Sequence, residues 1–172
     1  NGRGAQICMA RSRIADGPPL PGTWEKYYGG DFGQPGLGGF DTPVVNGQNL
    51  GNDGDTRKPG VVYSEKLDRY IMIINLNFWK ELNYLDSKYN RSGIYFSYSE
   101  NGVEWSEPEP LIIANVMPIF GVPVTWLGII LWDEGSSTDG WLIYGYSPAW
   151  GAHEGQTPAY MVGRRVAAKL FQ

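Results

Sequence analysis

The chain has 172 residues, with 14 Lys and Arg against 18 Asp and Glu, and a net charge of −4 at pH 7. This length suits one domain or a piece of a larger protein. The acidic balance gives no support to nucleic-acid binding or to attachment to an anionic membrane surface. No run of 18 apolar residues occurs, so the sequence predicts no membrane-spanning helix. The 24 Gly, 12 Pro and 14% aromatic residues predict many turns and few long helices.

Cys8 is the single cysteine, which excludes an internal disulfide bond. It lies in the apolar run 6–10, and this setting predicts a buried, unreactive thiol. A disulfide-free chain is compatible with a secreted or periplasmic bacterial protein, because a large enough core needs no cross-link. The chain begins without Met or a signal peptide and runs almost at once into a strand, so we expect a fragment of a longer chain.

The first part of the chain predicts a strand, a long turn and a returning strand. Residues 5–12 have strand composition, residues 16–22 are rich in Gly and Pro, and residues 23–28 return with Trp24 near their start. Residues 29–60 contain ten of the 24 glycines and little periodicity, which predicts long loops.

The middle of the chain predicts a four-stranded antiparallel unit over residues 57–114. Strands are expected at 57–64 and 69–76, and the near-continuous apolar run of the second indicates a strand covered on both faces. Residues 77–91 are predicted to form a loop with a short helical turn near Trp79. Two further strands come from the hairpin that follows.

The hairpin at residues 92–108 is the strongest local signal in the sequence. Its first strand alternates apolar and polar residues and reaches Asn101-Gly102, a dipeptide typical of tight hairpins. Ser99 and Asn101 are expected to hydrogen-bond the turn backbone, as short polar side chains do. The returning strand is expected to bring Trp105 back over the hairpin.

A similar unit is predicted at the end of the chain. Residues 123–132 and 141–147 read as strands, and Asp133-Glu134 between them as an exposed hairpin tip. Residues 159–168 are predicted to form outer strands, with a helix as the alternative.

The pattern Ser99-x-Asn101-Gly102-x-x-Trp105 resembles a shortened Asp-box, the turn between outer blade strands of sialidase-like propellers. Ser12 and Trp24 bracket a longer version of it, and repetition strengthens a repeat interpretation. The three segments 7–12, 94–99 and 160–165 also match as outer strands. The whole chain resembles the C-terminal part of a five-bladed β-propeller of the glycoside hydrolase 43/32/68-like kind.

This resemblance implies an all-β fold of roughly two and a half four-stranded antiparallel blades. The expected divisions are a part-blade at 1–45, a blade at 46–114 and a blade at 115–172. Because a propeller protects its edges by ring closure, two copies are expected to complete a ring as a homodimer. A distorted β-sandwich, or further blades elsewhere in a natural chain, are the alternatives.

The resemblance also implies carboxylates at the axial mouth, where paired acids cleave a glycosidic bond. Asp41 is the first choice for a catalytic or sugar-binding carboxylate and Glu154 is the expected second acid. An Asx turn that holds the loop is the alternative role for Asp41. The sequence departs from the family at the strand starts, since Lys58 precedes Pro59 and no acid does.

Further substrate-binding candidates carry positive charge or an aromatic ring. Arg57 and Lys58 would hold a carboxylated sugar, with an ordinary surface charge pair as the alternative. The aromatic stacking candidates are Trp79, Tyr84, Trp126 and Trp150, and core packing is the alternative for Trp126 and expected for Trp24. His153 is the sole histidine, a ligand or acid or else a structural loop residue.

The sequence predicts no cofactor. One histidine excludes a multi-His zinc site, and no phosphate-binding glycine loop precedes a helix. Asn52, Asp53 and Asp55 offer oxygen ligands for Ca²⁺, without the spacing of an EF-hand, and a solvated turn is the alternative.

Three functions therefore follow from the sequence. The first is a glycoside hydrolase, or a fragment of one, that acts on an oligosaccharide or polysaccharide. The second is a non-catalytic carbohydrate-binding module that uses Trp79 and Trp150. The third is a structural or assembly domain whose open strand edges pair with another chain.

Overall fold

The fold is all-β, as the composition predicted. The computed structural model describes residues 6–13, 15, 17–45, 54–78, 93–113, 128–146 and 160–169, and within these ranges it contains antiparallel sheets and no α-helix. The strands are β1 Ile7–Cys8, β2 Ala10–Ser12, β3 Trp24–Tyr28, β4 Asp31–Pro35, β5 Pro43–Val45, β6 Gly54–Ser64, β7 Arg69–Phe78, β8 Gly93–Ser99, β9 Glu109–Ile113, β10 Gly128–Trp132, β11 Asp139–Tyr146 and β12 Tyr160–Ala167. The described strands form four sheets, and none of these sheets closes on itself.

The largest sheet has the order β6-β7-β8-β9, so each strand pairs with its neighbour in sequence. This is the four-stranded antiparallel unit that the sequence predicted. Its strand β7 carries the run Ile71–Leu76, in which every residue is buried. Alternate residues of a strand point to opposite faces, so burial at every position means that both faces are covered, also as predicted.

Two separate hydrophobic clusters cover those two faces. The first joins the β6–β9 sheet, called the central sheet below, to the β1–β5 pair. It contains Ile7, Val45, Met72, Ile74, Leu76 and Tyr95. The second joins the central sheet to the sheet β10-β11-β12 and contains Ile71, Ile73, Ile94, Ile130, Leu142 and Tyr144. The β1–β5 pair, the β6–β9 sheet and the β10–β12 sheet therefore stack in this order, and the β2-β3-β4 sheet contributes no described residue to either cluster. Each fully buried aliphatic side chain contributes about 1.5–3 kcal/mol to this stack.

Residues 29–60 differ from the loops that the sequence predicted. They contain β4, β5 and the beginning of β6, which starts at Gly54. Gly29 and Gly30 both have positive φ, so they form the tight turn that lets β4 return along β3. Across that pair the rings of Tyr27 and Phe32 lie 5.4 Å apart. Cross-strand contacts of this kind stabilise a sheet even where the sequence is rich in glycine.

Hydrogen bonds join the central sheet to the last one at one end of the stack. The indole N–H of Trp132 donates to the carbonyl oxygen of Tyr63 at 3.1 Å, and the backbone N–H of Lys66 donates to Ser137 Oγ at 2.9 Å. This end carries the turns at residues 65–68, 99–108 and 133–138, and it is called the turn end below. The strands β6 and β10 end here and β7 and β11 begin here.

Two predictions for the last part of the chain have clear outcomes. Residues 160–167 form β12, so the helical alternative for this stretch is wrong. Asp133 and Glu134 lie in the turn between β10 and β11, which confirms the predicted hairpin tip. Asp133 binds Arg165 at 2.7 Å, and Glu134 is exposed.

Candidate functional site

The end opposite the turn end is the candidate site, because the predicted site residues follow or precede strand ends that meet there. The pairs Gly54–Phe78, Gly93–Ile113 and Tyr146–Tyr160 are cross-strand partners at this end. We call it the loop end. The chain also leaves β5 at Val45, which pairs with Ile7 at the start of β1.

Two of the predicted site residues lie in β6, and most of the others fall outside the described ranges. Arg57 and Lys58 belong to the backbone of β6, where the pairing with β7 shifts between Arg57 and Gly60. This bulge accommodates Pro59, which has no N–H to donate to the ladder. The remaining predicted residues lie outside the described residues: Asn52, Asp53, Trp79, Tyr84, Trp126, Trp150, His153 and Glu154.

Asp41 lies between β4 and β5, beside the start of β1. Its Oδ2 is 3.4 Å from Lys26 Nζ, and its Oδ1 accepts a hydrogen bond from the thiol of Cys8 at 3.4 Å. Lys26 Nζ also donates to the carbonyl oxygen of Gly39 at 2.9 Å. These contacts tie the 29–42 segment to β1 and β3. Both carboxylate oxygens of Asp41 are therefore engaged by neighbouring side chains.

Cys8 is exposed, so the predicted burial of its side chain is wrong. Its neighbour Ile7 takes the buried position instead, because successive residues of a strand face opposite sides. Partial desolvation of the sulfur raises the pKa of the Cys8 thiol to about 11, and the Asp41 carboxylate adds to the rise. Nearby Lys26 acts in the opposite direction. At neutral pH the thiol therefore stays protonated, and thiols are poor nucleophiles.

An exposed aromatic pair adjoins Asp41. The rings of Tyr28 and Phe40 lie 5.7 Å apart with an interplanar angle of 35°, and Phe40 is 71% exposed. The Oγ1 of Thr42 accepts a hydrogen bond from the Gly29 N–H at 3.0 Å and so holds the two segments together. The sequence reasoning missed this pair. The available signal was an aromatic residue between Gly39 and Asp41, in a stretch with no apolar periodicity.

The hairpin that carries the resemblance has a closed network at the turn end. Ser99 Oγ accepts hydrogen bonds from the N–H groups of Asn101 and Gly102 at 3.3 and 2.9 Å. Asn101 Oδ1 accepts from Val103 and Glu104 at 2.9 and 2.8 Å. The Trp105 indole N–H donates to the Gly102 carbonyl at 2.9 Å, and Trp105 packs against the first hydrophobic cluster. The predicted roles of Ser99, Asn101 and Trp105 are confirmed.

The described residues hold no group of three or more His, Cys, Asp or Glu side chains that could bind a metal ion. Asp55 lies in β6, and the other two Ca²⁺ candidates are outside the described ranges. In the same part of the chain no helix is long and apolar enough to cross a membrane. Comparison of the chain with protein-family models, curated proteins and solved structures returns no significant match.

Proposed function

We propose that the chain is part of a propeller-type carbohydrate-active protein and binds an oligosaccharide or polysaccharide at the surface formed by Tyr28, Phe40 and Asp41. The propeller proposal draws on two features. The β1–β5 pair, the central sheet and the last sheet pack against one another in chain order, as successive blades do, and the Trp105 hairpin makes the hydrogen bonds that its Asp-box-like sequence implies.

The observation that carries the proposed binding is the pairing of an exposed aromatic surface with a charged group. The Tyr28–Phe40 pair lies next to the Asp41–Lys26 ion pair on the same segment. Ligand sites combine aromatic or apolar surface with a few polar groups that fix orientation. A sugar ring offers both an apolar face and hydroxyl groups, so this combination suits it.

Binding is better supported than hydrolysis. A glycosidase needs one carboxylic acid held ready to donate a proton, whereas both oxygens of Asp41 are already engaged, Oδ2 by the Lys26 ammonium and Oδ1 by the Cys8 thiol. Hydrolysis would require a second carboxyl group about 5–9.5 Å from Asp41. Glu154 is the residue predicted for that part and it lies outside the described residues.

The experiment is a glycan-array screen combined with a panel of chromogenic glycosides, carried out on the full chain. Phe40→Ala should weaken glycan binding about five- to tenfold, because a lost stacking contact of about 1–1.5 kcal/mol corresponds to that factor. Leu37→Ala is its matched control, since Leu37 lies on the same segment and is 87% exposed. Asp41→Asn should also weaken binding, whereas Glu134→Gln at the turn end should not.

Three results are informative. Glycan binding that Phe40→Ala weakens and Leu37→Ala preserves supports the proposal. Turnover of a glycoside that Asp41→Asn abolishes would extend the proposal to a glycoside hydrolase. Absence of any glycan binding, or equal effects of the Phe40 and Leu37 variants, contradicts it.

A further inference from the structure

The Trp105 hairpin turns through Asn101-Gly102, a dipeptide whose asparagine is prone to spontaneous deamidation. A glycine has no side chain to shield its backbone nitrogen, so that nitrogen is open to reaction with the preceding asparagine. Gly102 has a φ of +78°, which other residues adopt only with strain, so the turn requires glycine at this position. The residue that the turn needs is therefore also the one that makes Asn101 reactive.

Deamidation is a reaction between the backbone of Gly102 and the side chain of Asn101. The Gly102 nitrogen attacks Cγ of Asn101, the N–Cγ bond forms and the Cγ–Nδ2 bond breaks. Ammonia leaves with the proton of the Gly102 amide, and a cyclic succinimide remains. Water then opens the ring at either carbonyl and leaves aspartate or isoaspartate at position 101. The reaction therefore needs a Gly102 N–H that is free to lose its proton and an Asn101 side chain that is free to approach it.

The closed hairpin provides neither of these conditions. The Gly102 N–H donates to Ser99 Oγ at 2.9 Å. Asn101 Oδ1 accepts hydrogen bonds from the N–H groups of Val103 and Glu104 at 2.9 and 2.8 Å. Asn101 Nδ2, which is the leaving group, donates to Glu104 Oε2 at 3.3 Å. Because the reaction disrupts these contacts, it proceeds from the small fraction of molecules in which the hairpin is open.

We propose that Asn101 is a site of spontaneous deamidation that the closed hairpin suppresses, so that its modification records opening of the hairpin. The modification also acts back on the turn. Aspartate at position 101 would place a carboxylate where Nδ2 donates to Glu104, and repulsion would replace a hydrogen bond. Isoaspartate adds a carbon to the main chain and displaces the acceptor that binds the N–H of Val103. Either product weakens the turn that holds Trp105 on the first hydrophobic cluster.

The experiment incubates the full chain at mildly alkaline pH, folded or in guanidinium chloride, and follows deamidation by mass spectrometry after proteolysis. Exchange of –NH₂ for –OH raises the mass of the peptide that contains Asn101. We expect the rate at Asn101 to be at least about tenfold lower in the folded chain, because hairpin opening must precede the reaction. Asn46-Gly47, the same dipeptide in a part of the chain outside the described residues, is the internal reference. In denaturant the two sites should react at similar rates.

The matched variants are Ser99→Ala and Ser136→Ala. Ser136 Oγ also accepts two backbone hydrogen bonds in a turn, from the N–H groups of Thr138 and Asp139 at 3.2 and 2.9 Å. Ser99→Ala should accelerate deamidation of Asn101 in the folded chain about five- to thirtyfold, because two hydrogen bonds that close the hairpin are lost. Ser136→Ala removes the same kind of contact from a different hairpin and should leave the rate at Asn101 unchanged.

Two results would overturn the proposal. One is an equal rate at Asn101 in the folded and denatured parent chain, and the other is an equal effect of the two alanine variants. The first comparison uses the parent chain alone, so it decides the matter even where Ser99→Ala does not fold. Glycan binding does not enter this test, so its outcome is independent of the function proposed above.

Discussion

The hairpins that follow β2 and β8 each carry a tryptophan after the turn, but their interiors differ. In the first, Trp24 is the first residue of β3 and pairs with Ser12, and Glu25 pairs with Arg11. In the second, the Ser106 N–H donates to the carbonyl oxygen of Tyr98. Trp24 therefore begins the returning strand β3, whereas Trp105 lies in the turn that precedes β9.

Their environments are different. Trp105 packs on a hydrophobic cluster and its indole N–H is satisfied within the hairpin. Trp24 is 42% exposed and belongs to neither cluster, so the expected core packing of Trp24 is wrong. The comparison teaches that the sequence pattern fixes where each tryptophan stands in its hairpin. The length of the turn decides whether the indole ring can fold back over that turn.

The largest expected effect is at the two tryptophans. Trp105→Ala should lower the free energy of unfolding by about 2–3 kcal/mol, because a large half-buried side chain and one hydrogen bond are lost. Trp24→Ala should cost about 1 kcal/mol or less, since most surface substitutions have small effects. Urea unfolding of the full chain measures both values.

A third variant separates packing from hydrogen bonding in that comparison. Trp105→Phe retains an aromatic side chain but leaves the Gly102 carbonyl without its indole donor, so about 1 kcal/mol of the loss should remain. Equal losses for the alanine variants of Trp105 and Trp24 would show that the two hairpins are not different in the way described.

A smaller effect is expected at the serines that begin the two turns. Ser99 is 2% exposed and accepts two backbone hydrogen bonds, so Ser99→Ala should cost about 1–2 kcal/mol. Ser12 is half-buried and its Oγ lies 2.7 Å from Thr23 Oγ1. Because Thr23 also donates to the Leu20 carbonyl, Ser12→Ala should cost only a few tenths of a kcal/mol. A larger loss for Ser12→Ala than for Ser99→Ala in urea unfolding would reverse the comparison.

The contrast between the two regions also explains what the sequence could predict. The β7 strand and the Trp105 hairpin were predictable, because an unbroken apolar run and a short polar turn act within a few residues. Residues 29–45 were not predicted as strands: β4 follows β3 through the local Gly29-Gly30 turn, which the loop interpretation overlooked, whereas β5 depends on pairing with β1, much earlier in the chain. Glycine content indicates turns but does not show which backbones pair across them.

The candidate site was predictable in part for the same reason. Asp41 was chosen from its resemblance to a family position, and the structure shows its contacts with Lys26 and Cys8. The Tyr28–Phe40 pair joins residues twelve positions apart across an unpredicted hairpin, so no local pattern could reveal it. The exposure of Cys8 was missed because the apolar residues around it do not show which face of the strand is buried.

The two hairpin regions also differ in how the chain returns after the turn, and this difference gives the smallest of the expected effects. In the second region the chain returns directly from the hairpin to β9, where Ile112 faces Ile94. In the first region the returning chain forms two strands, β3 and β5, and residues 29–42 lie between them. Val45 of β5 pairs with Ile7 of β1. The contacts of Asp41 with Cys8 and Lys26 hold residues 29–42 against β1 and β3.

The reactivity of the Cys8 thiol reports whether Asp41 contacts it. With a pKa of about 11, only about 0.1% of the thiol is ionised at pH 8, against about 10% for a pKa of 9. Alkylation by iodoacetamide should therefore be slow in the folded chain and faster in urea. Asp41→Asn removes the carboxylate that raises the pKa, so the rate in the folded state should increase a few-fold, while Glu134→Gln should not change it.

The pH dependence of stability follows from the same shift. Because the pKa of Cys8 is higher in the folded chain than its ordinary value of 9.0, the folded state binds the thiol proton more tightly than the unfolded state. Its contribution to stability is thus present below pH 9 and is lost as the pH rises from 9 to 11. Urea midpoints measured across this range should fall less for Cys8→Ser than for the unmodified chain. Parallel pH profiles for the two proteins, together with an alkylation rate unaffected by Asp41→Asn, would show that Asp41 does not hold residues 29–42 against β1.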